Sequence, residues 1–246
     1  IIGCMATPLI EVHQLTKRFG DRTAVDHISF EARQGEIVGL LGPNGAGKTT
    51  TMRMLTGFMP PTEGTARIAG HDIVEDSIAA RRSVGYLPER VPIYPDMTTL
   101  GYVGYWARLR GARHARAKAE TVLKHVDLYD RRKTLVRQLS KGMRQRLGLA
   151  QALVHNPPVI ILDEPTIGID PEQVIEVRQM VRRLGEEHTV LFSTHLLFEA
   201  EQVCDRVLIL NRGTIAAQGK PGELRRRIEG GSAIYVEISG TKRAEA

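Results

Sequence analysis

Cysteine is almost missing from this sequence: Cys4 and Cys204 are the two thiols in 246 residues. Two distant thiols make no zinc pattern. Cys204 lies in an apolar helical stretch and reads as a reduced, packed small hydrophobe. Aromatic residues are scarce, with a single tryptophan, Trp106. No run approaches the roughly 20 apolar residues that a membrane helix needs. The N-terminus has no basic segment followed by an apolar one, which argues against a signal peptide. The chain is therefore expected in the cytoplasm, and work at a membrane would need a partner. Internal repeats and low-complexity linkers are also lacking. The net charge is +6, concentrated from Arg108 to Lys118 and at Arg225–Arg227. Neither cluster interleaves aromatics with its cations, as a stacking surface for nucleic acid would. A solvated helix face is the favoured reading, an anionic membrane surface the next, and nucleic acid is not expected.

The remaining composition is that of a globular protein long enough for one large core or two modest ones. Met5 reads as the natural start, with Ile1–Cys4 outside the domain. Leu9–Leu15 and Thr23–Glu31 alternate as strands do, and Glu36–Leu41 is an apolar run suited to a strand buried on both faces. A helix is expected from Lys48 to about Phe58, then strands at Thr65–Ile68 and Val84–Leu87. From Thr98 to Val154 the pattern is helical, with one break at Gly111. Strand Val159–Leu162, helix Pro171–Gly185, strand Thr189–Ser193, helix Leu197–Val203 and strand Arg206–Leu210 follow, closed by a turn at Asn211-Arg212-Gly213. Gly230 and Gly231 precede a strand-like stretch, Ala233–Ile238. This order predicts an α/β fold: a mainly parallel sheet flanked by helices, with a helical lobe inserted on one side.

Gly42-Pro43-Asn44-Gly45-Ala46-Gly47-Lys48-Thr49 fits the phosphate-loop pattern in full, after a buried strand and before a helix. Glycines let backbone N–H groups converge on phosphate oxygens, and the helix N-terminus adds partial positive charge. Lys48 is expected to reach the β- and γ-phosphates, and Thr49 to place its hydroxyl on Mg²⁺. The strand Val159–Leu162 runs into Asp163-Glu164. Asp163 is expected to hold the metal through a water. Glu164, pointing elsewhere by strand alternation, is placed to polarise a water for in-line attack on the γ-phosphate.

Further motifs, in order along almost the whole chain, resemble those of the ABC ATPases. Leu139-Ser140-Lys141-Gly142-Met143 resembles the family signature Leu-Ser-Gly-Gly-Gln, with Lys141 for a glycine and Met143 for the glutamine. Phe19 resembles the aromatic that stacks on adenine. Ile167-Gly168-Ile169-Asp170 resembles the loop joining two active sites across a dimer, and His195 the switch histidine that contacts the γ-phosphate. Tyr86-Leu87-Pro88-Glu89 resembles the loop between core and helical lobe, with Glu89 for the usual glutamine. A carboxylate there still offers Mg²⁺ an oxygen. The other histidines, His71, His114, His125, His155 and His188, lack ligand spacing and read as surface residues.

The resemblance implies a phosphate-loop, RecA-like core with an N-terminal antiparallel β subdomain and an inserted helical subdomain. The ATPase domain would span 5–226, its core and β subdomain covering 5–87 and 156–226 and the helical subdomain 88–155. Residues 227–246 read as the start of a C-terminal extension, with truncation left open. The nucleotide would contact Phe19, the loop from Gly42 to Thr49, Thr50, Glu89, Asp163 and Asp170, with Ser140 and Gly142 acting on the γ-phosphate held by a second subunit. Glu164, His195 and Lys48 would carry hydrolysis, and Thr49, Glu89 and Asp163 would hold Mg²⁺. The stretch Thr134–Gln138, with Leu-Pro-Glu and Lys-Gly-Met-Arg-Gln-Arg, is similar to the ATPases of ABC-2 type exporters, including multidrug and gliding-motility groups. The expected protein is a peripheral motor on the inner face of the cell membrane. It forms a homodimer, or a heterodimer with another ABC ATPase, and drives a separate transmembrane permease. An ABC-type ATPase of cofactor assembly, with soluble partners, fits the same motifs. Ribosome-acting relatives carry two units in tandem, and DNA-tethering ones need a coiled coil for which Lys48 to Ser140 has neither room nor heptads.

Overall fold

A computed structural model describes residues 7–229. In chain order the elements are β1 (Pro8–Phe19), β2 (Arg22–Arg33), β3 (Ile37–Leu41), α1 (Lys48–Leu55), β4 (Glu63–Ile68), β5 (His71–Asp72), α2 (Ser77–Arg82), β6 (Val84–Leu87), α3 (Thr99–Leu109), α4 (Ala115–His125), α5 (Lys141–Leu153), β7 (Val159–Leu162), α6 (Pro171–Gly185), β8 (Thr189–Thr194), α7 (Leu197–Val203), β9 (Arg206–Asn211), β10 (Thr214–Gly219) and α8 (Pro221–Glu229). They form a four-stranded antiparallel sheet, β2-β1-β4-β5, and a six-stranded sheet, β10-β9-β3-β8-β7-β6. In the larger sheet β9, β3, β8, β7 and β6 run parallel and β10 pairs antiparallel at one edge.

The apolar runs β3, β7 and β8 are buried along their whole length, and the reason is visible in where successive side chains go. Val38, Leu40, Val159, Ile161 and Leu191 pack toward α1 and the antiparallel sheet. Ile37, Leu41, Ile160, Leu162, Val190 and Phe192 pack on the opposite face, in a core that continues through α6 and α7 into α3–α5. A sheet covered on both faces needs no polar alternation. Helix starts follow local chemistry: Thr98 accepts a hydrogen bond from the Gly101 amide at 3.0 Å, and Pro171 opens α6 behind Asp170.

Several expectations need correction. The stretch Thr98–Val154 is broken not once but twice. After α4 the chain turns at Asp127, φ 53°, and passes through short 3₁₀ turns at Tyr129–Arg131 and Val136–Gln138 before α5 begins. Amide-to-carbonyl bonds from Thr99 to Thr134 and from Val136 to Met97 hold that segment against the start of α3, a long-range pairing that periodicity cannot reveal. The helices α2 and α8 and the strand β10 were not expected. His155 and His188 are not surface residues. His188 is buried with Nδ1 at 2.8 Å from the Pro157 carbonyl, and Nε2 of His155 lies 3.1 Å from the Val84 carbonyl. Burial, with the Arg110 charge nearby, pushes the His155 pKa down to about 4. Cys204 is buried and free, as expected. The strand-like stretch Ala233–Ile238 lies outside the described residues.

Candidate functional site

Strand order explains which residues meet. The sequence β3-β8-β7 puts the carboxyl ends of three adjacent strands side by side, about 4.8 Å apart. The phosphate loop leaves β3, His195 follows β8, and Asp163-Glu164 follows β7. Ligands of open parallel sheets bind outside such strand ends.

The loop needs its glycines for backbone reasons. Gly47 has φ 109°, and a Cβ on it would come within 2.7 Å of the Ala24 carbonyl oxygen. At Gly42 a Cβ would lie 2.4 Å from the Leu210 carbonyl oxygen. β2 supplies the crowding at Gly47, and the unexpected β9–β10 hairpin supplies that at Gly42. Its turn has positive φ at both Arg212 and Gly213, and the Gly213 amide donates to the Ala46 carbonyl at 3.0 Å. The hairpin thus buttresses the loop from behind.

A cavity of about 480 Å³ opens in front of the loop. Phe19, Pro43–Thr50, Glu89 and Glu164 line it, with Ile167 of the Ile167–Asp170 loop, together with Arg22 and Ala24, which sequence reasoning missed. Arg22 could have been found: Phe19 and Arg22 pair directly at the end of the β1–β2 hairpin, so an aromatic and a cation share the mouth. Phe19 is 50% exposed, with the Lys17 ammonium 5.4 Å from its ring centre, and presents ring surface on which a planar ligand can stack.

Lys48 and Glu164 are buried together at the cavity's inner end. The Lys48 ammonium donates to the Gly42 carbonyl at 2.6 Å and lies 3.2 Å from Glu164 Oε1, an ion pair without hydrogen-bond alignment. Glu164 Oε2 is 3.0 Å from His195 Nδ1, and His195 keeps 42% of its side chain exposed. The direction of Glu164 does not come from strand alternation, because β7 ends at Leu162 and Glu164 has φ 48°. A left-handed non-glycine residue costs about 1–3 kcal/mol and persists only where its surroundings impose it. Here the Glu164 amide donates to Ser193 Oγ at 2.9 Å.

Asp163 is fully buried behind the loop. Its Oδ1 accepts from Ser193 Oγ at 2.7 Å and from Thr49 Oγ1 at 3.2 Å, while Oδ2 has no hydrogen-bond partner. Burial raises the Asp163 carboxyl pKa, against the pull of these two hydroxyls, and the charges of Glu164 and Glu89 push the same way. A buried carboxylate oxygen with a spare lone pair, beside a threonine hydroxyl, fits a hard cation or a water of its shell. Among the described residues no cluster of three or more His, Cys, Asp or Glu could hold a metal. A cation here would complete its shell with phosphate oxygens.

Ser140, Gly142 and Asp170 do not line this cavity. Ser140 caps α5, accepting from the Met143 amide at 3.2 Å, and Asp170 precedes α6 with Oδ2 accepting from the Gln173 side-chain amide of that helix at 3.3 Å. The arrangement can hold a polyphosphate against amides and an ammonium, and can present a carboxylate to a water beyond the terminal phosphate.

Comparisons with known proteins point the same way. The family profile described as ABC transporter matches residues 25–167. The linearmycin resistance ATP-binding protein of Bacillus subtilis (strain 168) is 35% identical over 239 residues, 96% of this chain and 77% of its own length. The daunorubicin resistance ATP-binding protein of Streptomyces coeruleorubidus is 40% identical over 237 residues, 95% of this chain and 75% of its own. A solved dimeric ATP-binding cassette in a post-hydrolysis state with ADP and Pi is similar at TM-score 0.78 and 27% identity, covering 86% of this chain and 98% of that one.

Proposed function

The chain belongs to the ABC transporter family and is an ATP-binding, ATP-hydrolysing motor subunit, and from that premise we propose how its residues divide the work. The observation that carries the reading is that Glu164, on the wall of the loop cavity, contacts both Lys48 and His195, with Asp163 and Thr49 bonded to each other beside it. ATP lies with its adenine on Phe19 and its phosphates over the loop amides from Gly42 to Thr50. Lys48 exchanges Glu164 for β- and γ-phosphate oxygens. Glu164 accepts a proton from the water that attacks the γ-phosphorus in line. The bond from the γ-phosphorus to the bridging oxygen breaks, and ADP leaves with that oxygen. His195 holds Glu164 and faces the γ-phosphate with its exposed edge. Asp163, Thr49 and Glu89 would hold Mg²⁺, whose positive charge offsets that of the phosphates.

Ser140 and Gly142, lying apart from the cavity, complete the site of a second subunit, identical or related, through the N-terminus of α5. Asp170 lies in the loop between the two sites. No helix among the described residues is long and apolar enough to cross a membrane. The proposed partner is a separate transmembrane permease that holds this chain at the membrane, a reading supported by relatives named as ATP-binding proteins. A groove of about 890 Å³ between core and helical lobe, with exposed Phe58, Ile78 and Leu109 on its rim, is the dock for that partner. Tyr86 on its floor lies three residues before Glu89 of the nucleotide cavity. The relatives' names, which speak of resistance to linearmycin and daunorubicin, support an exporter.

The test is complementation. Ser140→Arg and Glu164→Gln chains, each inactive alone, are mixed. In the mixed dimer one site carries both defects and the other neither, so activity returns, up to about half of wild type per mixed dimer if sites fire independently. Normal hydrolysis by Ser140→Arg alone would refute the trans role of Ser140.

A further inference from the structure

One buried charge has no part in the mechanism above. Glu199, on α7, is 4% exposed. Its Oε2 accepts from Thr166 Oγ1 at 2.9 Å and from Thr194 Oγ1 at 2.7 Å, and its Oε1 accepts from Arg178 Nη2 at 3.1 Å. Thr166 is 7% exposed and Thr194 fully buried. A carboxylate is expensive to bury and is kept only with donors to match. Here the donors belong to different parts of the site. Thr166 follows Glu164-Pro165 on the loop after β7. Thr194 immediately precedes His195 at the end of β8. Arg178 is on α6, the helix that begins after the Ile167–Asp170 loop.

We infer that Glu199 is a positioning residue that fixes Glu164 and His195 relative to each other. One carboxylate oxygen clamps both loops, one hydroxyl from each, at short sequence distances from the two side chains that meet at 3.0 Å. The left-handed backbone at Glu164 needs such an imposed conformation. Its amide is held by Ser193 from β8, and Thr166 supplies the second tether, on the carboxyl side. Thr194 Oγ1 also accepts from the Leu196 amide at 3.1 Å, which fixes the backbone on both sides of His195. Arg178 neutralises the clamp and ties it to α6, with its guanidinium 5.3 Å from the Phe198 ring centre. Glu199 therefore touches neither nucleotide nor water, and acts through Glu164 and His195. The inference rests on the proposed role of Glu164 as water-polarising carboxylate.

A double-mutant cycle read by single-turnover ATP hydrolysis on the full chain tests it. Glu199→Gln keeps the shape but loses the charged oxygen shared by two hydroxyls. Its maximal rate is expected to fall about 10- to 100-fold, the penalty of a misplaced reacting group, with ATP affinity within about threefold of wild type. In a Glu164→Gln background the same change is expected to cost less than about twofold, because the group it positions is already gone. Adding Arg178→Met to Glu199→Gln removes the unpaired cation and is expected to restore thermal stability but not rate. Thr166→Val and Thr194→Val leave the Arg178 pair intact and are expected to give smaller losses of the same kind. They serve the same cycle if Glu199→Gln does not fold. Wild-type turnover in these variants, or an equal cost with and without the Glu164 carboxylate, overturns the inference. Near wild-type turnover in Glu164→Gln alone overturns the mechanism beneath it, a distinguishable result.

Discussion

Replacing Glu164 by glutamine should move three quantities in different directions, and the direction of each follows from the ion pair at the inner end of the cavity. In this structure Lys48 lies 3.2 Å from Glu164, and both side chains are almost wholly buried. At an effective dielectric of about 20, two unit charges at that distance attract by about 5 kcal/mol, most of which offsets the desolvation of the pair. Removing one charge leaves a buried cation, but Lys48 keeps the Gly42 and Pro43 carbonyls as acceptors. The nucleotide-free protein should therefore lose about 1–3 kcal/mol of stability, less than a pair broken with nothing left to accept. ATP binding should tighten. In the wild type Lys48 must leave Glu164 to reach the phosphates, and the carboxylate then repels the γ-phosphate. The amide imposes neither cost, so a gain of about 1–2 kcal/mol, roughly 5- to 30-fold in Kd, is expected. Turnover should fall by about 10²–10⁴ as the proton acceptor is lost. Thermal unfolding with and without ATP reads the first two effects together: a lower Tm without nucleotide and a larger upward shift with it. Calorimetry gives Kd, and the variant should accumulate as an ATP-bound dimer. Weaker ATP binding by Glu164→Gln would refute the exchange of partners by Lys48, and near wild-type turnover would refute the role of Glu164.

Two further outcomes are accessible with simple assays. If Glu89 ligates Mg²⁺, Glu89→Gln removes one negative charge and should raise the Mg²⁺ concentration needed for half-maximal ATPase rate at fixed ATP; superimposable titrations would refute the ligand role. His155 is neutral in the fold, its pKa held at about 4 against 6.5 unfolded, so the stability it contributes is present above about pH 6.5 and is lost as pH falls toward 4. His155→Gln, which still offers a donor to the Val84 carbonyl, should flatten the Tm–pH curve in that window, and parallel curves would count against it.

The sequence exposed those parts of the site whose logic is local. The phosphate loop is read from strand, glycines and helix in one continuous segment, and Asp163-Glu164 from the end of an apolar strand. What stayed hidden depends on residues far apart in the chain. Nothing near Glu164 announces a left-handed backbone, since the groups that hold it, Ser193 directly and Glu199 through Thr166, come from other elements. Glu199 reads as an ordinary acidic position on a short helix, and only packing buries it with Thr166, Thr194 and Arg178. The β9–β10 hairpin had its turn signal in Asn211-Arg212-Gly213, but its use as a support for Ala46 depends on the sheet order. His188 shows the reverse error: read as a surface residue for want of ligand spacing, it is buried against the Pro157 carbonyl, a partner that no pattern marks.

Lys48, Glu164, Ser140 and Asp163 share one further property. Each already has a partner within its own chain: Lys48 has two carbonyls and Glu164, Ser140 Oγ has the Met143 amide, and Asp163 Oδ1 has Thr49 and Ser193. For Lys48 and Ser140, ATP binding under the proposed mechanism is thus an exchange of contacts, and only the difference between old and new partners is available to drive closure, whereas Asp163 Oδ2 has no partner to give up. That difference is largest where charge changes hands. Lys48 trades one carboxylate for a triphosphate, and its departure leaves Glu164 free to face water. Ser140 gains less from its own chain's nucleotide, because it lies outside that cavity. Its exchange requires a phosphate presented by a second subunit. Under the proposed mechanism, closure of the dimer would be coupled to occupancy by the Lys48 step, and hydrolysis to closure by the Ser140 step. A chain that binds ATP alone should carry out the first exchange and stop before the second.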